Sequence, residues 1–165
     1  MNRAFRKLFL LAVAVILLFS SQNASAAAMK KVRLTGTQAP DFSLATTRDT
    51  RVSFSREKAK PAMLFFFTTW CPYCREKMPF VAQERQKAQG VEIIPIDVGE
   101  SKAKVLSYAE KAGLPFAVLL DSDGRVSESY GVIGVPTIVL ISGDGTIVWT
   151  GNDIPSNYQE ILEKK

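Results

Sequence analysis

The stretch Ala62-Met63-Leu64-Phe65-Phe66-Phe67-Thr68-Thr69-Trp70-Cys71-Pro72-Tyr73-Cys74-Arg75-Glu76-Lys77-Met78-Pro79 carries most of the information in this 165-residue chain. Ala62 to Phe67 is a continuous apolar run of the length and aromatic content of a strand buried on both faces. Immediately after it stand Cys71 and Cys74, the only two cysteines of the sequence. Pro72 suits the first turn of a helix, and the polar-apolar pattern that follows predicts a helix to about Gln89, closed by Gly90. Pro79 falls inside that helix and is expected to kink it. Two thiols at i and i+3 in a first helical turn share one face, within the reach a disulfide needs.

Working outward, residues 30 to 60, which include Thr37 to Leu44 and Val52-Ser53-Phe54, read as an N-terminal hairpin or irregular lead-in. Val91–Asp97 reads as a strand, Ser101–Ala112 as a helix stopped by Gly113, Phe116–Leu120 as a strand, and Asp121–Gly124 as a turn before a short helix. Gly134–Ile141 and Thr146–Trp149, joined by Ser142-Gly143-Asp144-Gly145, form a second hairpin, and Asn157–Lys165 a closing helix. This order describes an α/β domain, a mixed sheet with helices on its faces.

The first residues read as an export signal: Arg3, Arg6 and Lys7, then twelve apolar residues from Leu8 to Phe19, then small and polar residues. Cleavage is expected near Ala26 or Ala28, giving a 1–26 signal and a domain over 32–165. A membrane span needs roughly 20 apolar residues, so an uncleaved anchor is the alternative reading. The formal charge of +5 comes largely from this segment, because without its three basic residues 18 Lys+Arg face 16 Asp+Glu. No basic stripe of a nucleic-acid binder remains.

Several chemistries compete for the cysteine pair. Zinc needs further Cys or His ligands, and the chain has no histidine. Haem attachment needs His after Cys74, where Arg75 stands. Ser-His-Asp and Cys-His nucleophile systems fail for the same lack of histidine. A structural bridge remains open in an exported protein, but a two-residue loop constrains the unfolded chain only weakly. A redox dithiol fits better. Helix N-terminal N–H groups favour a thiolate at Cys71, the nucleophile, while Cys74, one turn deeper and less exposed, resolves the mixed disulfide.

The segment Phe65–Pro79 resembles the active-site strand, turn and helix of the thioredoxin superfamily. With the export signal, Ala39-Pro40-Asp41-Phe42, and Tyr130-Gly131-Val132-Ile133-Gly134-Val135-Pro136-Thr137, the chain is most similar to the TlpA/ResA/CcmG branch of extracytoplasmic thiol-disulfide oxidoreductases. The resemblance implies a thioredoxin-like fold with an N-terminal β extension. It also implies a cis peptide between Val135 and Pro136, with the Val135 backbone open to a substrate strand. Trp70 is implied as apolar surface beside Cys71, with Pro72 and Tyr73 tuning the redox potential. No cofactor or metal is implied. The implied partners are protein thiols and disulfides, apocytochrome c among them, and a membrane thiol-disulfide transporter of the CcdA/DsbD type as electron donor. The expected protein is a monomer in the periplasm or another extracytoplasmic space. An extracytoplasmic oxidase or isomerase, or a non-enzymatic binding module, are the competing functions.

Two positions depart from relatives. Phe65 stands where cytoplasmic thioredoxins carry a buried Asp, so proton transfer to Cys74 must be served otherwise. Lys77 stands where many relatives carry Glu. Glu76 is about 100° round the helix from it and reads as a surface charge.

Overall fold

The computed structural model describes residues 34–55, 57, 60–87 and 90–163. The expected signal over 1–26 lies outside the described residues, all of which belong to the compact unit Val32–Lys165. All six side chains of Ala62–Phe67 are buried, as the uninterrupted apolar run requires. In chain order the described elements are β1 (Phe42–Thr46), β2 (Arg51–Phe54), β3 (Ala62–Phe67), α1 (Pro72–Lys87), β4 (Glu92–Val98), α2 (Lys102–Lys111), β5 (Leu119–Asp121), α3 (Arg125–Ser129), β6 (Thr137–Ile141), β7 (Ile147–Gly151) and α4 (Tyr158–Glu163).

The strands form one mixed sheet in the order β2-β1-β5-β4-β3-β6-β7. β3 pairs in parallel with β4, through the α1 crossover, and antiparallel with β6. Because side chains alternate across a strand, β3 feeds two cores. Met63, Phe65 and Phe67 join the cysteines, Met78 and Val81 of α1, Val105 of α2 and Leu162 of α4. Ala62, Leu64 and Phe66 join Phe42, Leu44, Phe54 and Tyr130 on the other face. The Tyr130 hydroxyl donates to the Pro40 carbonyl at 2.6 Å and ties the chain after α3 to the N-terminal lead-in.

The expected element order and mixed sheet are found, with local differences. β5 begins at Leu119 rather than Phe116, because Val118 spends its backbone groups on Thr47: its N–H donates to Thr47 Oγ1 at 3.1 Å and its carbonyl accepts the Thr47 N–H. As expected, Pro79 lies inside α1, where it offers no N–H to the turn before it. Among the described residues no helix is long and apolar enough to cross a membrane.

Candidate active site

β3 ends at Phe67, and Thr68, Thr69 and Trp70 carry the chain from the C-terminal end of this interior strand to Cys71. The Cys71 N–H donates to the Thr68 carbonyl at 3.3 Å, and Pro72 opens α1. Cys71 and Cys74 are joined as a disulfide with Cα atoms 5.2 Å apart, within the span such a bond requires. The Cys74 N–H donates to Cys71 Sγ at 3.2 Å. That contact, with the helix dipole behind it, would favour negative charge on this sulfur once the bond is opened. The expected contrast in exposure between the cysteines is small: Cys71 is 3% exposed and Cys74 0%. In the disulfide state both cysteines belong to the buried core with Phe65, Phe67 and Met78.

Val135, on the loop before β6, places its carbonyl oxygen 3.7 Å from Cys71 Sγ. In the dithiol state an S–H at Cys71 would have that carbonyl as its acceptor. The Val135–Pro136 peptide is cis. Chain segments 64 residues apart thus meet at the sulfur. Around them lie exposed apolar side chains: Trp70 at 61%, Tyr73 at 67% and Ile133 at 87%. Beside them a groove of about 290 Å³ is lined by Tyr73, Lys77, Val135, Pro136, Asn152 and Asp153. Lys77 does not stand free in it, for its ammonium pairs with Asp153 at 2.5 Å. Glu76 is exposed.

The sequence reading missed a second layer of charge. Glu100, in the turn between β4 and α2, accepts the Thr69 N–H on Oε2 at 2.5 Å and the Thr69 hydroxyl on Oε1 at 3.0 Å. Lys104 pairs with the same carboxylate at 2.6 Å. From the other side Arg75 Nε donates to the Thr69 carbonyl at 2.7 Å. All three polar groups of Thr69, two residues before Cys71, are therefore held. Asp97 lies beneath, fully buried at the end of β4 and in register with Phe67.

Burial pushes the Asp97 carboxyl up to about 8, and the neighbouring Glu100 carboxylate adds to the effect. Burial acts to raise Glu100 as well, but hydrogen bonds from Lys104 and Thr69 outweigh it and hold this carboxyl below its ordinary value. The pair thus splits into a protonated Asp97 and an ionised Glu100. The available signal is a charged residue, Asp97, in the otherwise apolar run Ile93–Val98, with a second acid three positions later.

Residues 35–150 match the AhpC/TSA family. The thiol-disulfide oxidoreductase ResA of Bacillus subtilis (strain 168) is 39% identical over 115 residues, which cover 68% of this chain and 64% of that protein. ResA of Bacillus thuringiensis subsp. konkukian is 32% identical over 133 residues, 78% of this chain and 77% of that protein. Among solved structures, a secreted Mycobacterium tuberculosis disulfide oxidoreductase homologous to E. coli DsbE superposes with a TM-score of 0.61 at 27% identity, covering 73% of this chain and 91% of that one. The fold is thioredoxin-like, and the chain belongs to the AhpC/TSA family, within which it is a homologue of the ResA thiol-disulfide oxidoreductases.

Proposed function

We propose that this thiol-disulfide oxidoreductase works as a reductant of protein disulfides outside the cytoplasm. The observation that carries the reading is the setting of Cys71 Sγ, at the start of α1, with the Cys74 N–H 3.2 Å away and the Val135 carbonyl at 3.7 Å. In the dithiol state the Cys71 thiolate attacks one sulfur of a substrate disulfide. The S–S bond of the substrate breaks, its other sulfur leaves as a thiolate, and a mixed disulfide through Cys71 forms. Cys74 then loses its proton and attacks Cys71 Sγ. The substrate departs with both sulfurs reduced, and the Cys71–Cys74 disulfide remains, so that two electrons have passed to the substrate.

Trp70, Tyr73 and Val135 supply the surface against which the substrate chain lies, Pro136 and the groove beside it extend that surface, and Pro72 and Tyr73 tune the potential of the bond they separate. The reductive direction rests on the ResA-type resemblance, as does the reading of apocytochrome c as a substrate before haem attachment. Electrons would then arrive from a membrane thiol-disulfide transporter of the CcdA/DsbD type. Residues 1–26 direct export to the periplasm or an equivalent extracytoplasmic space, where the remaining domain over 32–165 acts as a monomer. Replacing Cys74 with Ser in the source cell should accumulate reductant-sensitive covalent complexes through Cys71, with apocytochrome c among the captured proteins. Complexes that contain only proteins requiring new disulfides would identify an oxidase instead.

A further inference from the structure

Asp97 is fully buried, and among the described residues its carboxyl oxygens have no hydrogen-bonding neighbour but Glu100. A buried carboxylate in that condition is costly. The polar group beside it is the Glu100 carboxyl, and two adjacent carboxyls are compatible with burial when one proton lies between them. Glu100 already accepts from Thr69 and Lys104, which leaves Asp97 as the protonated partner and donor. The side chain of Phe67, the register partner of Asp97, packs in the same core as Cys71 and Cys74. Asp97 therefore faces the side of the sheet on which the disulfide opens.

We propose that Asp97 and Glu100 form a proton-holding clamp on the cysteine loop: Glu100 positions Thr69 ahead of Cys71, and the proton on Asp97 is linked to the redox state of the cysteine pair. The charged groups that act on Asp97 are Glu100 from the turn and Lys104 from α2; Tyr108 of α2 and the two cysteines share the core on this side of the sheet, and Arg75 of α1 reaches the Thr69 carbonyl. Reduction of the disulfide by an external dithiol brings in two electrons and, with Cys71 left as a thiolate, one proton that Cys74 keeps. The new negative charge on Cys71 strengthens the hold of Asp97 on its proton. Reciprocally, ionising Asp97 raises the affinity of Cys71 for a proton. Asp97 and Glu100 are positioning residues here, since they act through Thr69 and through charge and touch no substrate.

The proposal rests on the thiol-disulfide reading, and two measurements on the full chain test it. Carbon-13 NMR titration of the Asp97 carboxyl, in the disulfide form and in the dithiothreitol-reduced form, should show its midpoint about one pH unit higher after reduction. In the reduced protein, the rate of Cys71 alkylation by iodoacetamide against pH should carry a second inflection that Asp97→Asn removes. An Asp97 midpoint that is the same in both redox states overturns the linkage, as does an alkylation profile that Asp97→Asn leaves unchanged. Insulin reduction measured alongside separates the two levels: a protein that reduces insulin while its Asp97 midpoint stays fixed overturns this proposal alone.

Discussion

Replacing Asp97 with Asn should make the protein more stable at neutral pH, and the gain can be worked from the site. The carboxyl has an ordinary value of 3.8 and is pushed up to about 8 in the folded chain. At pH 7 the unfolded chain holds Asp97 ionised, so folding must bind a proton there. At roughly 1.4 kcal/mol per pH unit between the ordinary value and pH 7, that requirement costs up to about 4 kcal/mol. Asparagine fits the same space, offers an N–H to Glu100, and needs no proton. Because the folded value lies above the unfolded one, the wild-type protein carries no penalty below about pH 4. It loses stability as pH rises toward 8 and is level beyond.

Urea unfolding of both proteins at pH 5, 6, 7 and 8, with m held in common, should show a difference that grows by about 1.4 kcal/mol per pH unit and favours Asn. At pH 7 this corresponds to a rise in Tm on the order of 10 °C. A difference that is flat from pH 5 to 8, or an Asn variant less stable throughout, would refute the assignment of a protonated Asp97. Glu100 works in the opposite sense. Its carboxyl is held below its ordinary value, so its contribution is present above that value and is lost as pH falls.

Other expectations follow from the same contacts. Cys71→Ser should abolish insulin-disulfide reduction while leaving the near-UV circular dichroism of the domain intact; persisting reduction would remove Cys71 from its role. Phe65→Ala should cost about 3–5 kcal/mol in urea unfolding, because Phe65 is fully buried and stacked on Phe67 at 5.8 Å. Tyr130→Phe should cost about 1–2 kcal/mol, since the Pro40 carbonyl loses its hydroxyl donor. An unchanged unfolding midpoint would show that water replaces that bond without loss.

The parts of the molecule legible in the sequence are those in which neighbouring residues decide the outcome. Ala62–Phe67 has no polar side chain, so burial on both faces is its only economical state, and Cys71-Pro72-Tyr73-Cys74 sets its own geometry within one helical turn. β5 was misjudged at its start because its boundary is set by Thr47, 71 residues from Val118. Lys77 was legible as a departure from relatives, but its pairing with Asp153 was not, since 76 residues separate them. Asp97 was read as the last residue of a strand. Its chemistry depends on which face it occupies and on the later turn that delivers Glu100, and composition does not report either. The exposure contrast expected between the two cysteines rests on helix position alone, whereas both belong to the buried core against which Val135 packs.

The direction of electron flow is the centre of this account, and the reduction potential of the Cys71–Cys74 couple tests it most directly. Equilibration of the protein with defined dithiol and disulfide mixtures at pH 7, followed by alkylation and mass analysis, gives that potential. A reductant should lie near or below about −270 mV. A value near about −120 mV would place this protein among the oxidants and contradict the proposed function.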